Sequence, residues 1–307
     1  MRAVRLILLL PLLFITQACS AASAFLPTPT PTLVPSPTPA VTSIPPLTVE
    51  QLKNAEYTLT GSDNSSHSYQ LVNGEYKKGG DPTAPDYADI TLLDFFPIGD
   101  LNGDGAADAA VLLAANYGGS GVFVSVAAVL NNNGQPHHVA STIVDDRPKI
   151  NKLEIQNGAI FLDAVVHGPN DPMCCPAVPV TRTYKLIGPS LVMVNATSQT
   201  PDGQSRAITI DQPLSGADAS GALTITGKVT IAPFENTLHM RTYNKQGNEL
   251  TSGPVMVAAA NPGAPGTFSF TLDLSAFPPG RMYIEIADLS AADGSIMALA
   301  SVEVNVR

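Results

Sequence analysis

The stretch Asp100-Leu101-Asn102-Gly103-Asp104-Gly105-Ala106-Ala107-Asp108 sets oxygen-bearing side chains at alternate positions. When such a loop curls, those oxygens converge on one point, and Gly105 permits the sharp turn. Hard oxygen ligands select Ca²⁺. The expected ligands are the side chains of Asp100, Asn102 and Asp104, the backbone carbonyl of Ala106, and Asp108 directly or through water. They would be spent on the loop itself, so the ion's role would be structural. The alternative is an Asx-rich polar turn without metal.

A second cluster is His167-Gly168-Pro169-Asn170-Asp171-Pro172-Met173-Cys174-Cys175-Pro176. Outside the cytoplasm thiols oxidise, and a disulfide between the neighbours Cys174 and Cys175 is the simplest intramolecular pairing. It would stiffen the loop, form a rigid apolar knob, act as a redox switch, or give way to a soft-metal site with His167. Dimerisation through one cysteine is also open. His137-His138 could bind copper or zinc. Adjacent strand residues point to opposite faces, however, so exposed loop histidines are the plainer reading.

No catalytic residues are assigned. Tyr117-Gly118-Gly119-Ser120-Gly121-Val122 approaches the G-x-S-x-G nucleophile turn, but Val122 stands where glycine is needed. No P-loop or dinucleotide fingerprint is present. Asp145-Asp146-Arg147 reads as a solvated turn with an ion pair. A triad assembled only in space stays open.

The 100–108 pattern departs from an EF-hand, which needs a bidentate Glu at position twelve, where Val111 stands. Its flanks, 92–98 and 109–115, read as strands. The loop resembles the calcium loops of integrin-type propeller repeats and of dockerins, in a single copy.

Arg2 and Arg5 precede an apolar run of ten residues, 6–15. That suits a signal peptide and falls short of the about 20 residues needed to span a membrane. Thr16-Gln17-Ala18-Cys19 follows. It resembles the lipobox of bacterial lipoproteins, with Thr16 where the family usually has Leu. The resemblance implies removal of 1–18 and lipidation of Cys19 with diacylglycerol and acyl chains such as palmitate, which anchor firmly. Ordinary cleavage near Ala21 or Ala22, giving a secreted protein, is the alternative.

The rest of the chain must position these groups. The 307 residues suggest about two domains. Of these, 44% are hydrophobic, enough for real cores, and 24 Gly with 27 Pro favour turns and extended segments over long helices. A formal charge of −10 disfavours nucleic acid and favours metal cations as partners. Segment 19–46 is a proline- and threonine-rich linker; over 26–46 proline removes backbone donors and prefers polyproline II, a spacer of roughly 60 Å. Folding should start near Thr48, with Thr48 and Gln51 forming a capping box before a short helix. Asn73-Gly74 and Asn157-Gly158 signal hairpins. Runs at 90–96, 109–115, 122–130, 159–166 and 182–187 read as strands. Region 47–196 is expected to be an α+β domain dominated by antiparallel strands, 197–206 a linker, and 207–307 a β-sandwich of about seven strands.

Ile208-Thr209-Ile210-Asp211-Gln212-Pro213, Leu223-Thr224-Ile225-Thr226-Gly227, Pro233-Phe234-Glu235-Asn236-Thr237, Gly266-Thr267-Phe268-Ser269-Phe270 and the run 288–295 occur in that order. Over 208–306 the chain resembles the immunoglobulin-like domain associated with bacterial spore-germination proteins. That implies a non-catalytic extracellular module. Residues 99–111 and 167–176 are similar to a region of other bacterial surface lipoproteins. The expected whole is mainly β: a lipid-anchored protein on the outer face of the cytoplasmic membrane, with a binding or scaffold role toward an envelope protein or glycan. The competing readings are an envelope hydrolase with an unrecognised site in 47–196, and a metal or redox sensor using the paired cysteines.

Overall fold

The computed structural model describes residues 44–61 and 65–307. The leader expected at 1–18, Cys19 and nearly all of the spacer expected at 19–46 lie outside them. Thr48 opens the first element, helix α1 (Val49–Lys53): its hydroxyl accepts from Gln51 N, and the Gln51 side chain accepts from Thr48 N. Two otherwise unpaired donors are thus satisfied, as the capping box predicts. The helix buries Leu52.

Strands β1 (Glu56–Thr60) and β2 (Ser66–Gln70) form an antiparallel ribbon. Strands β3 (Glu75–Lys78), β4 (Ala88–Leu92), β5 (Ile98–Gly99), β6 (Asp108–Asn116), β7 (Phe123–Asn132) and β8 (Gln135–Asp146) form a second sheet. Its order is β3-β4-β6-β7-β8, with β5 paired to the start of β6. Asn73 and Gly74 take the positive φ angles of a tight turn, but β2 and β3 pair with different strands. The turn therefore hands the chain from the ribbon to the sheet. Asn133-Gly134 and Asn157-Gly158 close true hairpins.

The central strands β6 and β7 are apolar at nearly every position because both faces are covered. Ala109, Val111, Leu113, Ala127 and Val129 pack under α1 and the β1–β2 ribbon. Ala110, Leu112, Val124, Val126 and Ala128 pack against a four-stranded meander. That meander is β9 (Lys149–Gln156), β10 (Ala159–Val166), β11 (Val178–Ile187) and β12 (Ser190–Gln199). The first region is thus a layered antiparallel assembly in which α1 is the only α-helix among the described residues.

The stretch 197–206 contains the end of β12, a turn in which Gly203 N donates to the Thr200 carbonyl, and β13 (Ser205–Arg206), which pairs back onto β12. Strands β14 (Ile208–Gln212), β15 (Ala217–Ala219), β16 (Ala222–Val229), β17 (Thr237–Asn244), β18 (Glu249–Ala259), β19 (Gly266–Asp273), β20 (Gly280–Leu289) and β21 (Ile296–Val306) follow. One face of the sandwich is β14-β16-β19, the other β17-β20-β21, and β18 serves both. It pairs with β17 up to Met256 and with β19 from Val257 onward. Alternate inward residues, among them Ile225, Leu238, Phe268, Ile284 and Val302, fill the core. The two regions share a sheet, because β12 pairs with β21 through Asn195–Ala300 and Ala196–Leu299. No helix among the described residues is long and apolar enough to cross a membrane.

Candidate functional site: the 100–108 loop and its neighbours

The loop leaves β5, curls, and enters β6 at Asp108. The Asp100 carboxylate accepts from Asn102 N at 3.2 Å, Gly103 N at 2.6 Å and Gly105 N at 2.9 Å. Asn102 Oδ1 accepts from Asp104 N at 2.9 Å, and Asp104 Oδ1 from Ala106 N at 2.7 Å. Each polar side chain turns back on the backbone two residues ahead, and Gly105 (φ +83°) supplies the left-handed bend. Burial pushes the Asp100 carboxyl up, but the N–H groups of Gly105, Gly103 and Asn102 hold it below its ordinary value.

Asp108 differs from the rest. It is fully buried, and its two oxygens accept from Leu101 N and Asn131 N, both at 2.8 Å. Burial pushes its carboxyl up, outweighing those two bonds, and the charges of Asp104 and Asp100 add to the rise. Asn131, on β7, donates from Nδ2 to the carbonyls of Pro45 and Ala107, and its Oδ1 accepts from Gly134 N. Asp108 and Asn131 together tie the loop, the β7–β8 turn and the entering chain into one buried knot. Asn131 lies 23 residues from Asp108, so local spacing carries no trace of this pairing.

Asp100, Asn102 and Asp104 share the curl, with Asn102 Nδ2 donating to Asp104 Oδ2 at 2.8 Å. Among the described residues no group of three or more His, Cys, Asp or Glu is placed to hold a metal. The loop is a pre-curled turn, not a closed cage.

Cys174 and Cys175 are joined as a disulfide on an exposed loop, beside Met173, which is 69% exposed. His167 is tied to Asp145: its backbone N and Nδ1 both meet Asp145 Oδ2, at 2.6 and 2.9 Å. Burial lowers the imidazole pKa, but the Asp145 hydrogen bond and charge raise it further, to above its ordinary value. Asp145-Asp146-Arg147 is more than a solvated turn. Asp146 is buried, accepts from Val122 N at 2.7 Å and pairs with Arg147 at 2.6 Å.

The histidine pair sits on β8, not in the loop before it. His137 is exposed. His138 lies edge-on to Tyr57 at 5.8 Å, and its Nδ1 accepts from Thr58 N at 3.3 Å. Burial, with His137 beside it, pushes His138 down to about 4. The two rings therefore sit in different environments, one exposed and one against Tyr57. The turn 117–122 joins β6 to β7, with Gly118 and Gly119 at positive φ.

At the junction, Arg206 pairs with Asp288 at 2.7 Å, both largely buried. Burial pushes Asp288 up against the pull of Arg206. A cavity of about 270 Å³ between meander and sandwich is lined by Val166, His167, Arg182, Arg206 and Met297, among others.

The sandwich is the part of the chain that a known family model describes. Residues 207–295 match the immunoglobulin-like domain of bacterial spore germination, the resemblance read in the C-terminal region. No curated protein matches the chain.

Proposed function

We propose that this chain is a non-catalytic binding or scaffold protein held outside the cytoplasm by lipid on Cys19, its folded part raised on the proline–threonine spacer. The match of 207–295 to an immunoglobulin-like module carries the reading, because such sandwiches present faces and loops for partners without reactive groups of their own. The shared β12–β21 ladder supports it further: a binding surface on either region would be rigidly coupled to the other. In this reading the 100–108 loop is a structural calcium site. Asp100, Asn102, Asp104, the Ala106 carbonyl and Asp108 would hold the ion. Each carboxylate keeps lone pairs beyond those given to backbone N–H groups, and a cation beside buried Asp108 would offset the burial that raises its pKa. Loading requires Asp104 to exchange its bond from Asn102 Nδ2 for the cation.

The experiment is metabolic labelling with palmitate in a bacterial host. The protein should carry label and sediment with membranes, and Cys19→Ser should lose both. Unlabelled wild-type protein in the culture medium would overturn the anchoring.

A further inference from the structure

Four of the chain's eight tyrosines border one open cleft of about 360 Å³. Tyr69 comes from β2, Tyr76 from β3, Tyr87 from the β3–β4 loop, and Tyr117 from the residue after β6. Tyr69 is buried and forms the floor, edge-on to Tyr76 at 5.1 Å and tilted against Tyr117 at 6.4 Å. Tyr76, Tyr87 and Tyr117 are half-buried. Lys78 and Asp86 stand at the rim and pair with each other at 3.2 Å.

The cleft is built by backbone contacts. Asp81 accepts from Thr83 N at 2.9 Å, Ala84 N donates to the Asp81 carbonyl, and Tyr87 N donates to the Ala84 carbonyl. The Pro82 carbonyl lies so close to Gly118 that any Cβ there would come within 2.4 Å of it. The β3–β4 loop is thereby locked against the turn that carries Tyr117. Tyr87 OH also reaches Asp89 at 3.4 Å. Such a site need not order itself when a ligand arrives, which favours binding.

We propose that this cleft binds a neutral oligosaccharide. Tyrosine offers a flat apolar face for the C–H groups of a sugar ring and a hydroxyl for its oxygens, at little cost in side-chain entropy. Lys78 and Asp86 cancel each other's charge while keeping donor and acceptor capacity, so the rim selects neither an anion nor a cation. Among the described residues the cleft is open, which suits a unit within a longer glycan. The inference rests on the binding reading above and names its partner class.

The full chain is purified in mild detergent and titrated with chitotetraose, cellotetraose and maltotetraose. It contains no Trp, so intrinsic emission reports tyrosine directly. At least one sugar should give a saturable change, and Tyr87→Ala should weaken it about tenfold or more. Phe234→Ala, an exposed residue of the sandwich, should leave it unchanged. No saturable response to any of the three up to about 10 mM, a ligand level at the weak end of specific affinity, overturns the proposal. So does an unchanged response in Tyr87→Ala. Retention on purified envelopes is measured in parallel. Retention without a sugar response sinks the cleft and leaves the binding reading standing, whereas no retention of wild type sinks that reading.

Discussion

At the residue scale, the D-x-N-x-D-G-x-x-D pattern conceals two kinds of aspartate. Asp100 and Asp104 organise an exposed curl, while Asp108 satisfies two backbone donors in a dry interior. Removing an acceptor from a buried N–H costs about 1–3 kcal/mol. Asp108→Ala should therefore lower stability by about 3 kcal/mol in denaturant titrations, with or without Ca²⁺. Asp104→Ala without Ca²⁺ should stay within about 1 kcal/mol of wild type, being at the surface. If the loop binds calcium, saturating Ca²⁺ should raise the thermal midpoint of wild type by about 5 °C and leave Asp104→Ala unmoved. A flat midpoint for wild type removes the ion. The oxygen spacing was legible because it is local. The role of Asp108 was not, because its partner Asn131 is fixed by the β6–β7 register, a tertiary fact.

Among the elements, patterning was most readable where a strand has one environment along its whole length. The double-sided burial of β6 produces an unbroken apolar run, and the capping box at Thr48 is a contract between residues three apart. Asn73-Gly74 shows the limit: it encodes a tight turn, but which strands the turn's arms join depends on partners elsewhere. The β8 histidines show another. An Asn-rich turn precedes them, so they looked exposed, yet a bulge at Val129 in the β7–β8 ladder and the overlying Tyr57 half-bury one of them. This carries a consequence for acid stability. The folded-state pKa of His138 is depressed from 6.5 to about 4. As pH falls below 6.5 the unfolded chain takes up a proton that the folded chain refuses. Stability is fully present above pH 6.5 and declines toward pH 4, by about 3 kcal/mol from this group. Denaturant midpoints across that window should fall for wild type, and the decline should be shallower in His138→Gln. Parallel profiles for the two proteins would contradict the burial assignment.

On the scale of the whole molecule, a polar, turn-rich stretch at 197–206 reads as a linker because Pro, Gly, Ser and Asp favour irregular backbone. Yet Thr200–Gly203 is a tight turn, and the residues on either side return to the same sheet. Composition cannot tell a turn that separates domains from one that folds a strand back on its neighbour. The consequence is mechanical. Across the junction, Val194 and Ile187 pack on the stacked rings of Tyr243 and Tyr283, and Ala196 packs with Ala287 and Leu299. Ser198 Oγ donates to the Met297 carbonyl and Ser301 Oγ to the Val194 carbonyl. Arg206 reaches across to Asp288. Removing one member of a buried pair strands the other charge, at a cost of about 3 kcal/mol. Arg206→Met should therefore destabilise the protein by that order, and by more than Arg307→Met, whose partner Asp218 is exposed. Because the pair sits where the two regions meet, the loss should also weaken their coupling. Wild-type protein should unfold in one calorimetric transition with equal calorimetric and van't Hoff enthalpies, and Arg206→Met should broaden or divide it. Two separate transitions in the wild type would mean that the shared ladder is too weak to bind the regions into one cooperative body, and the rigid coupling invoked for the binding surface would fail with it.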